Sequence, residues 1–184
     1  MARSALTDLL YVQRHRHNPA LSTETELNLV GFRVGAGLFA VDVSSVKEIL
    51  AQIALVNVPQ ASRIVLGVIE HRGRVVPIVD LRRRFALPPL SDGRRAKWIV
   101  VDIGSEWFGL CVDEVTEVFG VTSAQERPVP RVGATDVAQG FTKVYTHERQ
   151  LVMVLDLAHL ARAVDRDEVA PAPLQHELEE TGSR

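Results

Sequence analysis

The chain carries one cysteine, two methionines and only 5% aromatic residues in 184 positions. The lone cysteine, Cys111, builds no disulfide framework, and its place inside the apolar run WFGLCV reads as a buried core thiol. The lack of cysteine pairs fits a reducing compartment. No stretch comes near the roughly 18 uninterrupted apolar residues that mark a spanning helix. The opening residues MARSALTDLLYVQRHRHNPA lack both an unbroken apolar signal core and a small-residue cleavage site. A cytoplasmic protein with no direct membrane insertion is therefore expected. Charge of one sign is also lacking. The formal net charge of −2 gives no electrostatic case for nucleic acid or an anionic membrane. Hydrophobic residues at 46% and charged residues at 24% are ordinary for a globular chain, and the length allows one domain or two small ones.

What the sequence does have is an internal repeat. Residues 29–50, LVGFRVGAGLFAVDVSSVKEIL, overlay residues 98–119, WIVVDIGSEWFGLCVDEVTEVF, without a gap. Gly35 falls on Gly104, Phe39 on Phe108, Val43 on Val112, Val46 on Val115 and Glu48 on Glu117. VVPIVDLRRRF at 75–85 matches LVMVLDLAHLA at 151–161 more loosely, and Gly67 before the first is set against Gly140 before the second. Two copies are too few for a solenoid and point to two related small barrels joined in one molecule.

The local pattern agrees. Alternation around Leu27–Val34, a Gly35-Ala36-Gly37 turn and Leu38–Val41 predict a hairpin. Ser44-Ser45 before VKEIL predicts a capped short helix, and Asp113–Phe119 its counterpart, with Asp113 and Glu117 on one face. Strands at Ile64–Ile69 and Val75–Val79 flank the turn signal Arg72-Gly73. Asp80 and Asp156 each open a short helix as N-cap. Strands of four to seven residues without long crossover helices argue for an all-β protein of small barrels rather than a parallel α/β sheet. The expected divisions are an N-terminal extension at 1–26, poorly ordered or a short helix, a domain at 27–163, and a disordered acidic tail at 164–184. Within the domain the first unit spans about 27–90 and the second about 96–163, with room for strands to interlace.

Several chemistries are excluded on pattern. Gly35-Ala36-Gly37-Leu38-Phe39-Ala40 fits a dinucleotide fingerprint in letters, but the following residues alternate as a strand and supply no helix N-terminus for a pyrophosphate. His71, His147 and His159 lack neighbours at metal-ligand spacing, and no nucleophile elbow, P-loop or zincin motif occurs. No enzyme activity, metal or cofactor is expected. The run Arg82-Arg83-Arg84 is the most basic segment, with Phe85 as its only near aromatic, so a nucleic-acid platform is poorly supported.

One block is more specific. VLGVIEHRGRVVPIVDLRRRF at 65–85 resembles the central signature of the bacterial chemotaxis coupling protein family, the CheW-like domain. That family shows G-V-I-N-x-R-G followed by P-(I/V)-(I/V/L)-D-L-R-x-x-F, matched here by Gly67, Val68, Ile69, Arg72, Gly73, Pro77, Asp80, Leu81, Arg82 and Phe85. VSSVKEIL at 43–50, FGLCVDEVTEV at 108–118 and QGFTKVYTHERQLVMVLDLAHL at 139–160 extend the resemblance over about 130 residues. Glu70 stands where the family usually has Asn. The resemblance implies two five-stranded SH3-like β-barrels packed together, with short helices and no catalytic site. It implies an adaptor joining the cytoplasmic hairpin tip of a chemoreceptor to the regulatory domain of a CheA-type histidine kinase. A paralogue that binds one partner only, in a non-flagellar pathway, stays open beside it.

The resemblance also assigns residues. Glu48 and Arg72 take the family's paired acidic and basic positions, with Gly73 completing the turn. Gly67 and Gly140 are read as matched positions, where a missing side chain admits the close approach of a helix or marks a strand bend. Val46, Ile49 and Val68 are read as anchors lining a groove, with core packing the alternative for each.

Overall fold

A computed structural model describes residues 27–59, 61–90, 96–129 and 140–166, with side chains to residue 164. The expected extension at 1–26, the loop at 91–95 and the tail after 166 lie outside the described residues. The strands are β1 (Leu27–Val34), β2 (Gly37–Asp42), β3 (Val46–Ala51), β4 (Val65–His71), β5 (Arg74–Asp80), β6 (Lys97–Ile103), β7 (Glu106–Val112), β8 (Glu114–Val121), β9 (Glu126–Arg127), β10 (Phe141–His147) and β11 (Gln150–Leu155). Helix α1 covers Leu81–Arg84 and α2 covers Leu157–Arg166.

The strands make a six-stranded sheet in the order β8-β1-β2-β11-β10-β9 and a five-stranded sheet in the order β3-β6-β7-β5-β4. The sixth strand of the first sheet is the two-residue β9, paired with β10. The mostly-β, two-barrel architecture expected from the short strands is thus present. The sheets do not follow the linear halves, however. β1 and β2 of the first repeat sit with β8, β10 and β11 of the second, while β6 and β7 of the second sit with β3, β4 and β5 of the first. Each exchange is sealed by one parallel pairing: Ile78, Val79 and Asp80 against Gly109, Leu110 and Cys111, and Val152, Met153 and Val154 against Leu38, Phe39 and Ala40. The barrels are interlaced, so neither repeat closes a sheet alone.

Turn chemistry fixes the hairpins. Gly35, at φ 60°, takes the first central position between paired Val34 and Gly37, and Gly104, at φ 71°, does the same between Ile103 and Glu106. A positive φ at that position suits a two-residue hairpin and favours glycine. The Gly-rich run is therefore a turn followed by a strand, and no helix begins there.

The helices expected at 46–50 and 113–119 are strands. Residues 43–45 form a single 3-10 turn capped by Asp42, whose carboxylate accepts the Ser44 amide at 2.7 Å, and β3 follows at once. Val46 and Ile49 are both buried three residues apart, a helix-like spacing. A register shift between Val46 and Glu48 produces it, because a bulge places an extra residue in one strand and breaks the alternation. The same device between Val115 and Val118 explains β8. Asp113 and Glu117 consequently share no helical face. The caps at Asp80 and Asp156 are present: Asp80 Oδ1 accepts the amides of Arg82 at 2.8 Å and Arg83 at 3.2 Å, and Asp156 Oδ1 accepts that of His159 at 2.8 Å. Helix α2 runs three residues past the expected domain end at 163, and Val164 packs against the core.

One apolar cluster runs through both sheets. It includes Val30 and Val41 from the first, Ile99 and Leu110 from the second, all at 0% exposure, and Leu160 of α2. Around Phe39 the rings of Phe85, Phe141 and Phe32 lie with centroids at 4.9, 5.9 and 6.1 Å. These contacts tie the residue that caps the end of α1, together with β10 and β1, to β2. Because the core is common, the barrels are held at a fixed angle, and the surface at their junction is defined by packing.

Candidate partner-binding site

The β4–β5 hairpin turns on Arg72 and Gly73, at φ 53° and 74°, between paired His71 and Arg74. Positive φ at both central positions is the type I′ arrangement, whose twist matches that of the flanking strands. A Cβ on Gly73 would meet nothing within 4 Å, so its glycine answers a backbone requirement alone. The turn places Arg72 beside Glu48 of β3, with Nη2 donating to Oε2 at 2.7 Å. His71 Nε2 lies 3.1 Å from the same oxygen. The expected Glu48–Arg72 pair is therefore formed, and His71 is a third member.

Exposure decides what this group can do. The Arg72 side chain is 66% exposed and that of Glu48 23%. An ion pair so open to water contributes about 0–1 kcal/mol to folding. Its guanidinium keeps donors free to meet an incoming carboxylate. On the flank, Arg74 lies over the Trp107 ring, its guanidinium carbon 4.7 Å from the centroid, and donates to the Ser105 carbonyl at 3.1 Å. Val75 beside it is 72% exposed. A shallow pocket of about 450 Å³ is bounded by Arg74, Val75, Pro77, Trp107, Phe108 and Val164. The surface combines cations on a rigid turn, an acceptor and an apolar floor, which is the chemistry of a protein-binding patch.

The other expected residues divide. Gly67 sits in β4 at φ 151°, and a Cβ there would stand 2.6 Å from the Val56 carbonyl oxygen. The close approach is by another strand segment rather than a helix: Val56 and Val68 exchange backbone hydrogen bonds at 2.9 Å each. Gly140 is not the counterpart of Gly67. The Asp80 amide donates to Ile64 and the Asp156 amide to Gly140, which sets Gly140 against Ile64. The shared register shifts at Val65/Gly67 and Phe141/Lys143 set Gly67 against Lys143. Val46 and Ile49, at 3% and 8% exposure, belong to the core, so they support the site from beneath; Val68 is half-buried next to the Val56 bridge.

One arrangement was not foreseen. Arg82 of α1 grips Asp113 with two bonds, Nε to Oδ1 at 2.7 Å and Nη2 to Oδ2 at 2.8 Å, and its Nη1 donates to the Pro88 carbonyl at 2.6 Å. Asp113 Oδ2 also accepts the Gly35 amide at 2.7 Å. The clamp joins α1, which follows β5, to the β7–β8 link and the β1–β2 turn, so it ties one sheet to the other. Burial alone pushes the Asp113 carboxyl up, but the Arg82 guanidinium and the Gly35 amide together bring it below the ordinary carboxylate value. The hydrogen bond to Asp113 raises Arg82 in turn. Arg83 bonds Asp80 at 3.4 Å and the Arg63 carbonyl at 3.3 Å. Two of the three arginines of the basic run are thus engaged within the fold, which does not favour a nucleic-acid reading.

With this geometry in place, comparison with known proteins is direct. Residues 28–165 match the family model of the CheW-like domain. The chain belongs to the CheW-like domain family. It is 31% identical over 140 residues to the chemotaxis protein CheW of Rhizobium meliloti, covering 76% of this chain and 90% of that one. It is 28% identical over 129 residues to CheW of Klebsiella aerogenes, covering 70% and 78%. The crystal structure of the scaffolding protein TtCheW from Thermoanaerobacter tengcongensis superposes with a TM-score of 0.64 at 24% identity, covering 71% of this chain and 88% of that one; the likeness shows the fold. As a CheW-like protein the chain is a chemotaxis coupling adaptor. Among the described residues, no helix is long and apolar enough to cross a membrane.

Proposed function

We propose that this CheW-like chain couples the cytoplasmic hairpin tip of a chemoreceptor to the regulatory domain of a CheA-type histidine kinase, in the cytoplasm at receptor arrays and without catalysis of its own. The observation that carries the reading is the exposed Arg72 turn held by Glu48 and His71 on a rigid two-barrel frame. An adaptor works by differential affinity. It shifts the kinase only if its bound geometry favours one kinase state over another. A frame with a shared core and an inter-sheet clamp suits that task, because a strain applied at one barrel is felt at the other. Glu48, Arg72 and Gly73 serve as contact residues in this proposal, while Gly67, Val68 and Gly140 shape the strands around them.

Separate co-purification with a receptor hairpin and with the kinase regulatory domain tests the proposal. Binding to both is expected, and Arg72→Glu should weaken at least one. Binding to the kinase domain with no binding to any receptor hairpin would leave a single-partner paralogue instead.

A further inference from the structure

The interlaced repeat reproduces the Glu48 site at the other barrel with the charges rearranged: Glu148 stands where the first barrel has Arg72, and Arg149 where it has Gly73. Glu117 of β8 corresponds to Glu48 of β3, and the β10–β11 turn residues His147, Glu148 and Arg149 correspond to His71, Arg72 and Gly73. The backbone is repeated as well: Glu148 and Arg149 have φ of 46° and 65°, beside 53° and 74° at Arg72 and Gly73. The imidazole is again set against the carboxylate, with His147 Nε2 at 3.3 Å from Glu117 Oε1. Its ring is held by stacking on Phe119, centroids 3.9 Å apart and planes at 13°.

At the third corner the copies part. In the first barrel a guanidinium stands there, 2.7 Å from Glu48. In the second, Glu148 brings a second carboxylate. One ligand atom each from Glu117, His147 and Glu148 lie within 4.8 Å of one another. Among the described residues no ion pair joins Glu148 to a side-chain cation. The same scaffold that seats a positive charge in one barrel therefore gathers two negative charges about an imidazole nitrogen in the other.

We infer that Glu117, His147 and Glu148 form a surface site for one divalent transition-metal ion, which takes the place that the Arg72 guanidinium fills in the first barrel. An imidazole nitrogen with carboxylate oxygens selects ions of the zinc and cobalt kind over magnesium and calcium, which favour oxygen-only shells. The ion neutralises the two carboxylates and pins the β10–β11 turn to β8. Water completes the coordination, since both glutamates are exposed. The site does not depend on the coupling proposal.

The test is calorimetric titration of the untagged full-length chain with Zn²⁺, with Co²⁺ absorption as a spectroscopic probe. One Zn²⁺ per chain at micromolar affinity is expected, undisplaced by millimolar Mg²⁺, together with a Zn²⁺-dependent rise in melting temperature. Glu148→Arg, which rebuilds the first barrel's arrangement, and His147→Gln should each weaken binding at least about tenfold. Glu117→Gln serves as a second carboxylate variant should either fold poorly. Absence of micromolar binding would overturn the inference. So would an affinity unchanged in all these variants, because the ion would then rest on other groups such as His15 and His17, or displacement by Mg²⁺ at equal concentration.

Discussion

Removing the Asp113 carboxylate should loosen the joint between the barrels. Asp113→Ala breaks two charge-assisted bonds to Arg82 and the acceptor of the Gly35 amide. The Arg82 and Asp113 side chains are only 16% and 17% exposed, so the arginine left behind is a largely buried and under-compensated charge. Breaking a buried pair costs about 3–5 kcal/mol, and a lost amide bond about 1. The remaining exposure and the Pro88 carbonyl bond to Arg82 favour the low end for the pair, giving with the amide bond a total of about 4 kcal/mol in urea denaturation. That equals a fall of roughly 10 °C in melting temperature for a chain of this size. Asp113→Asn keeps an acceptor and should cost about 1–2 kcal/mol. The pH dependence has a definite sign. The folded-state carboxyl is held below its ordinary value, so the stabilisation is present above the unfolded-state value and disappears as pH falls through the folded-state value. The gap between native and Asp113→Ala proteins should therefore shrink in acid. A loss under about 1 kcal/mol at neutral pH, or a gap that widens in acid, would refute the clamp.

Other perturbations separate folding from binding. Arg72→Glu should change stability by no more than about 1 kcal/mol, since the side chain is 66% exposed, yet weaken partner binding; Glu48→Arg added to it should restore part of the binding in a double-mutant cycle. Gly67→Ala should destabilise by about 1–3 kcal/mol in thermal melts, because its Cβ meets the Val56 backbone at a disfavoured φ, whereas Gly73→Ala should cost about 1 kcal/mol from φ alone. Cys111, whose thiol is pushed up to about 11 by burial first and by the Asp80 charge second, should resist disulfide reagents at pH 8 in the native state and react in urea.

The fold class was readable because the repeat is written in the sequence at constant spacing, and because turn glycines such as Gly35 and Gly104 mark the same corners in both copies. The interlacing was not determined by it. Strand pattern states which face is buried, but the partner of β2 is chosen by packing between Phe39 and rings from three other elements. The two misplaced helices follow from bulges, which imitate helical spacing at Val46 and Ile49. Glu48 and Arg72 were legible through the family motif, while His71 was not. It joins them through strand pairing, although its spacing to His147 matches the offset of the second half and was a signal in hand. The Arg82–Asp113 clamp links positions 31 apart and became visible only in space.

The coupling itself is tested most directly by analytical ultracentrifugation of the full chain with both a soluble receptor hairpin and the kinase regulatory domain. One ternary species is predicted, with each partner binding at equal or higher affinity in the presence of the other, and Arg72→Glu reducing its yield. Mutual displacement of the two partners, or a ternary species insensitive to Arg72→Glu, would contradict the account.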